Sequence, residues 1–108
     1  MANFTIASQV PDSHDRSATK NMRYLLYTGP ASYVQGGDLV ASDDVGLTAI
    51  DFINPIGNAF DKTNSHMYLV SWDYTVGKLV WYVPNTGNEV AAAVNLSTFS
   101  VLAEVVGH

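Results

Sequence analysis

The sequence has no cysteine and few positively charged residues. Its 108 residues include 5 lysines and arginines against 10 aspartates and glutamates, so the formal net charge is -5 at pH 7. Without cysteine the chain has no disulfide scaffold, no thiolate metal site and no cysteine nucleophile. The shortage of cations argues against a nucleic-acid partner, because phosphate neutralisation needs clustered lysines and arginines.

Long hydrophobic runs are missing as well. No apolar run approaches the ~18 residues that a membrane helix needs, so we expect no membrane partner. Residues 1–10 have neither the cationic start nor the apolar core of a signal peptide. A hydrophobic fraction of 47% nevertheless excludes wholesale disorder, and the length predicts a single domain.

The balance of residue types favours strands over helices. Valine, isoleucine and threonine contribute 25 residues, whereas glutamate and lysine together contribute five. β-Branched and aromatic side chains suit a pleated, packed surface, and a helical bundle would need more glutamate and lysine on its outside. The sequence therefore predicts an all-β, mainly antiparallel fold. We expect a small β-sandwich or partly open barrel with an extended N-terminal arm and one or two short helical turns.

Turn signals divide the chain into an arm and linker (residues 1–20) and one β domain (residues 21–108). Residues 3–10 alternate, with Phe4, Ile6 and Val10 on one face, which predicts a strand. Residues 11–17 are polar and turn-rich and predict an exposed linker, so the body is expected to fold without the arm. Whether the arm pairs with its own body or with another molecule stays open.

Further elements follow from the apolar runs and their glycine and proline boundaries. Strands are predicted at 22–28, 47–54, 67–73, 78–83 and 99–106, with a loop at 57–65. Residues 42–46 predict one helical turn that begins at Ser42 as N-cap and ends at Gly46. Residues 88–94 fit either a short helix or a strand end and loop. Gly77 suits the turn of a hairpin.

Side-chain burial can be predicted from the same pattern. Trp72 and Trp81 are expected in the core of that hairpin, because its two strands have the densest aromatic content. Leu26 and Val101 are also expected in the core.

Residue types that carry chemistry are scattered. The histidines, His14, His66 and His108, lack the spacing of metal ligands. Asp38, Asp43 and Asp44 lie in one long loop and could bind Ca²⁺, but the last two fit the N-terminus of a helical turn better. With no phosphate-binding loop and no nucleophile elbow, the sequence predicts no catalytic residue, no metal, no cofactor and no enzyme activity.

Apolar side chains are more numerous than one buried face per strand requires. The runs at 22–28, 47–53, 67–73 and 98–106 carry large apolar groups on both alternating faces. Loops and the arm could cover the surplus, but 108 residues leave little loop for that purpose. We therefore expect a partner protein or a second copy to cover it.

The order of these pieces resembles that of small tailed-phage head decoration (capsid cement) proteins, which are encoded near the major capsid protein. The resemblance covers residues 22–107 and lies in the order of the motifs more than in any one of them. The motifs are an early apolar strand, then SYVQGGDLV (32–40), DDVGL (43–47), WDY and GKL (72–74 and 77–79), GNEVAA (87–92), NLS (95–97) and a terminal apolar strand.

The resemblance implies a structural virion protein that decorates or cements a phage capsid. Its partner would be the major capsid protein, with self-association as a dimer or trimer. Its location would be the capsid exterior, after synthesis in the host cytoplasm. The candidate interface residues are Phe4, Ile6, Val10 and Tyr33. The alternative function is a small-molecule or glycan-binding module that uses Trp72, Trp81 and tyrosines as a stacking platform.

Overall fold

The computed structural model describes residues 2–6, 14–17, 20–61 and 66–108, which form one curled antiparallel sheet. The strands are β1 (Asn3–Ile6), β2 (His14–Ser17), β3 (Lys20–Thr28), β4 (Asp38–Leu39), β5 (Ile50–Asp61), β6 (His66–Asp73), β7 (Lys78–Tyr82) and β8 (Ser100–Gly107). The helical structure within these ranges is one 3₁₀ turn, Ser42–Val45. The predicted all-β class is confirmed.

The strand order is β1-β3-β8-β5-β6-β7-β4, with β2 also paired to β3. β8 lies between β3 and β5 and pairs with β3 over eight residues, from Asn21↔Gly107 to Thr28↔Ser100. β5 pairs with β6 only over Ala59, Phe60 and Asp61. Beyond these residues the two strands diverge, so the sheet curls into a half-barrel.

The core lies on the concave side of this sheet and is rich in aromatic rings. On β8 the residues Val101, Ala103 and Val105 are buried, and each alternates with a residue that is partly exposed, as the sequence predicts. Trp81 lies at the centre, with its ring centroid 5.9 Å from that of Tyr27 and 6.3 Å from that of Phe99. Edge-on and tilted contacts between aromatic rings stabilise the fold by more than the burial of their apolar surface alone.

The predicted hairpin is confirmed as β6 and β7 around the turn 74–77. Val70 faces Trp81 and Trp72 faces Leu79, so both tryptophans point to the concave side. Trp81 is 0% exposed. Trp72 is only half-buried and packs against the core from its margin.

The N-terminal segment links the two ends of the sheet, because β1 is one end strand and the residue before it contacts the other, β4. β1 pairs with β3 of the same chain, and the backbone N–H of Ala2 donates to the carbonyl of Leu39 on β4 at 3.1 Å. His14–Ser17 also pairs with β3, so the prediction of a linker is wrong for these four residues. β3 is nine residues long, and its exposed backbone edge can accept a polar strand whatever its side chains. Residues 7–13, which include Val10, lie outside the described ranges.

β5 is longer than its sequence predicts. It begins at Ile50 rather than at residue 47 and continues through Pro55 to Asp61, so the predicted loop from residue 57 is wrong as far as Asp61. Pro55 pairs with β8, and β6 lies beside β5 only from Ala59 onward. A residue without an N–H is tolerated where one side of the strand has no partner. Gly57, at φ 89°, lies in the register shift between Ile56 and Phe60.

Two short segments resolve as turns. The 3₁₀ turn has Ala41 rather than Ser42 at its N-cap, and the Asp44 carboxylate accepts a hydrogen bond from the Ala41 N–H at 3.0 Å. Gly46 ends the turn with φ 73°, as predicted. Residues 88–94 are irregular rather than helical, with a single bridge between Glu89 and Tyr82.

We expect the substitutions Val101→Ala and Leu26→Ala to differ in cost. Val101 is 4% exposed, so its truncation leaves a cavity and should cost about 2 kcal/mol. Leu26 is 37% exposed on the convex side, which corrects its predicted place in the core, and its truncation should cost less than about 1 kcal/mol. Urea unfolding followed by circular dichroism measures both, and equal costs would contradict this assignment of faces.

Candidate functional site: the outer face of the sheet

The convex side of the sheet, which we call the outer face, is made of the side chains that alternate with the core residues on β3, β8 and β5. Residues directly opposite each other on paired strands share a face, so the register places them in rows. The rows are Met22–Val106–Phe52, Tyr24–Glu104–Asn54, Leu26–Leu102–Ile56 and Thr28–Ser100–Phe60. Two residues of β6 extend the face, because Met67 lies opposite Phe60 and Leu69 follows on the same side.

The outer face is apolar and open. Ile56 is 46% exposed and Met67 48%, and Leu26, Phe52, Phe60 and Leu69 also keep more than a third of their surface exposed. Single exposed apolar residues are ordinary, but a contiguous patch marks an interaction surface or a liability to aggregation. The predicted surplus of apolar groups on both strand faces is therefore present, and it lies on this side of the sheet.

One carboxylate lies among these apolar rows. Glu104 is on β8, between β3 and β5, and its Oε2 accepts a hydrogen bond from the Tyr24 hydroxyl at 3.2 Å. The structure describes the surroundings of two cationic side chains, Arg23 and Lys78, and neither of them lies on the outer face. Arg23 donates to the carbonyl of Val45 at the 3₁₀ turn, and Lys78 lies on β7 against Gly37. Neither of these two cations thus lies beside Glu104 on the outer face.

The residues predicted to contact a partner do not form one surface. Tyr33 is 1% exposed. Its hydroxyl donates to the Glu89 carboxylate at 2.7 Å and accepts from the backbone N–H of Trp81 at 3.1 Å. Phe4 is half-buried against Tyr27, with ring centroids 5.1 Å apart. Tyr33 is therefore an interior residue and is not exposed to a partner, which corrects its predicted contact. Phe4 keeps part of its surface exposed, so its predicted contact stays a prediction. Ile6 lies in β1 opposite Leu25, and Val10 is outside the described ranges, so the contact predicted for these two stays a prediction.

A polar chain runs through the core next to Trp81. The Tyr27 hydroxyl donates to Asp38 Oδ2 at 2.7 Å and accepts from Trp81 Nε1 at 3.1 Å. Burial, followed by the charge of Asp38, raises the pKa of Tyr27. Burial also raises the pKa of Asp38, against the opposing effect of the Tyr27 hydrogen bond. The tyrosine hydroxyl thus stays protonated and remains a donor to Asp38.

The aspartates of the predicted Ca²⁺ alternative have other roles. Asp38 is bound to Tyr27, and Asp44 accepts from the Ala41 N–H at the 3₁₀ turn. Among the described residues no group of three or more His, Cys, Asp or Glu side chains is placed to hold a metal ion. The assignment of Asp43 and Asp44 to the start of the helical turn is confirmed, since both lie in its first turn.

We expect Asp38→Asn to change how stability depends on pH. Because the pKa of Asp38 is raised above 3.8 in the folded protein, the folded state holds this proton more tightly than the unfolded chain does. The stability contributed by this residue therefore grows as pH falls through its folded pKa, and it is lost as pH rises. An asparagine at this position would still accept the Tyr27 hydrogen bond and does not titrate.

The measurement for this prediction is urea unfolding of both proteins at pH 7 and at about pH 4. Relative to the wild type, Asp38→Asn should be more stable at pH 7 than at the lower pH. A difference between the two proteins that does not change with pH would contradict the raised pKa.

The aromatic platform predicted for a glycan is largely closed, although Trp72 is half-exposed at the margin of the core. Trp81 is 0% exposed, and Tyr27 and Tyr33 are also in the core. One depression, lined by residues that include Val34, Asp38, Leu39 and Lys78, has a volume of about 230 Å³. That volume is below the ~300–1,000 Å³ typical of small-ligand pockets. A second depression, between Met67 and Pro84, has about 420 Å³ but is shallow and open to solvent. These observations favour the outer face as the candidate site.

No helix within the described residues is both long and apolar enough to cross a membrane. Comparison of the chain with protein-family models, curated proteins and solved structures gives no match.

Proposed function

We propose that this protein is a structural virion protein that decorates a phage capsid and binds the major capsid protein shell through its outer face. The observation that carries the proposal is the open apolar face on β3, β8, β5 and β6. The order of motifs along the chain, which resembles that of head decoration proteins, gives the class of partner.

The size of the outer face suits a partner that offers many equivalent sites. Four rows about 6.8 Å apart on three strands about 4.8 Å apart give a flat area of about 400 Å². Such a contact buries about 800 Å² in total, below the ~1,200 Å² of a stable single interface. A shell presents the same site many times, and self-association as a dimer or trimer would let several outer faces bind together. Avidity then turns a weak contact into stable decoration.

The charge of the protein is compatible with this role. A net charge of -5 keeps the free protein soluble despite its apolar face, and it disfavours contact with the packaged genome. β1 is paired within its own chain, so the proposal places shell binding on the outer face and does not require the arm.

The test is to purify virions of the phage that encodes this chain on a density gradient and to locate the protein by antibody labelling. We expect the protein in the virion band, labelled on the outside of intact heads. Its recovery only in the fractions of free protein, at every ionic strength tried, would overturn the proposal.

A further inference from the structure

The position of Glu104 constrains what the outer face can bind. Glu104 is on β8, between Tyr24 on β3 and Asn54 on β5, with an apolar row on either side. Any protein surface that covers the rows above and below it must also cover this carboxylate. The Tyr24 hydroxyl gives this carboxylate one hydrogen bond but does not neutralise its charge. Burial of an uncompensated charge is costly, so the partner has to supply a positive charge.

A second copy of this chain is a poor occupant. Packing two outer faces about a twofold axis would bring Glu104 close to its own counterpart, and like charges at an interface cost several kcal/mol. A pair of outer faces would also bury only about 800 Å², with no other copies present to add avidity. The repulsion between the two Glu104 carboxylates and the small buried area therefore both argue that the outer face binds a different protein rather than a second copy.

We propose that the outer face binds a protein surface that presents one basic side chain within an apolar patch, and that this basic group pairs with Glu104. The proposal rests on the proposed function, because it specifies the chemistry of the shell surface that would be bound there. The apolar part of the contact covers the rows that contain Leu102 and Val106.

The neighbours of Glu104 favour arginine over lysine as the basic residue. The Tyr24 hydroxyl and the Asn54 side chain flank the carboxylate, so the row offers three groups with acceptor oxygens side by side. A planar guanidinium has five donors in a fixed fork, whereas an ammonium group is a compact charge with three.

The test uses phage heads stripped of this protein as the probe and compares two variants that each remove one negative charge. Glu104→Gln keeps the shape of the side chain and its ability to accept the Tyr24 hydrogen bond. Asp43→Asn is the matched control, because Asp43 is exposed on the 3₁₀ turn, away from the outer face. At low salt we expect Glu104→Gln to bind about tenfold more weakly, and Asp43→Asn to bind like the wild type.

Glu104→Gln that binds the heads as tightly as the wild type would overturn the proposal. So would a Glu104→Gln variant that, in sedimentation velocity, shows a further association step that the wild type lacks. That result would mean that a second copy is the occupant of the outer face. Only the repulsion between the two Glu104 carboxylates would then prevent the wild type from pairing in this way.

A second measurement separates this inference from the proposed function, because it needs no shell. We would titrate the ¹⁵N- and methyl-labelled protein with 4-phenylbutylamine and with 4-phenylbutyrate, two amphiphiles that differ in the sign of their charge. The amine should shift the signals of Leu102 and Ile56 at least three times as much as the acid does, and Glu104→Gln should remove the difference.

Equal shifts from the two amphiphiles would overturn the cation preference, whether or not the protein binds a capsid. If stripped heads do not bind the wild-type protein at all, the proposed function fails. The amphiphile titration then still decides whether the outer face selects a cation.

Discussion

The substitution Trp81→Ala is expected to cost about 3–5 kcal/mol, the largest effect that we expect of any single substitution. The Trp81 ring is fully buried and lies within 6.3 Å, centroid to centroid, of Tyr27, Tyr68 and Phe99. Its removal leaves a large cavity and also takes away the donor to the Tyr27 hydroxyl. Domains of this size are stable by ~5–15 kcal/mol, so this loss would be a large part of the total stability.

The matched control for this substitution is Tyr74→Ala. Tyr74 lies in the turn of the same hairpin and is 80% exposed, so its truncation should stay within about 0.5 kcal/mol of the wild type. Urea unfolding followed by far-UV circular dichroism compares the three proteins. Similar midpoints for Trp81→Ala and the wild type would show that Trp81 is not at the centre of the core.

Deletion of residues 1–6 should cost about 3 kcal/mol, the second-largest effect that we expect. The deletion removes four paired positions on β3, the contact of Phe4 with Tyr27 and the hydrogen bond from Ala2 to Leu39. The sequence alone predicts a body that folds independently of the arm. The structure favours the opposite expectation, that the arm stabilises the body, because Ala2 belongs to the core.

Two point variants on the same strand separate the role of packing from that of chain length. Phe4→Ala should show much of the loss, since its ring packs on Tyr27. Thr5→Ala should be nearly neutral, because Thr5 is exposed and its side chain lies on the face opposite Phe4. A truncated protein with the unfolding midpoint of the full chain would mean that β1 does not stabilise its own body. Pairing of the arm with another molecule would then be the better description.

The sequence predicts most of the sheet because period-two alternation is strong in the strands that form it. The alternation around Val101 correctly assigns the buried face of β8, and Gly77 correctly marks the turn of the hairpin. The face of β3 is harder to assign, since Tyr24, Leu25, Leu26 and Tyr27 form an unbroken apolar run. A run without alternation does not say which face is buried, and the face predicted for Leu26 is the wrong one.

The parts that the sequence does not predict depend on long-range pairing. Pro55 marks a strand end by every local rule, yet β5 continues because no strand pairs on its other side there. His14–Ser17 is polar and becomes a strand because β3 offers it a free edge.

The candidate site is predictable in kind but not in detail. The surplus of apolar side chains on both strand faces is visible in the sequence and is the signal of an exposed face. Ile56 sits just past the predicted strand end, and Phe60 and the divergence of β5 from β6 lie where the sequence suggests a loop, so local patterns do not place these residues. The position of Glu104 at the centre of this face depends on the register of β3, β8 and β5, which no local pattern sets.

The most direct test of shell binding through the outer face is the affinity of Ile56→Asp for stripped phage heads, measured by co-sedimentation. Val76→Asp is the matched control, because it also puts a carboxylate at an exposed apolar β-branched residue, at 52% against 46% exposed, but in the turn of the hairpin. We predict that Ile56→Asp stays folded and loses binding at least tenfold, while Val76→Asp binds like the wild type. Undiminished binding by a folded Ile56→Asp variant would contradict the assignment of the outer face as the shell-binding surface.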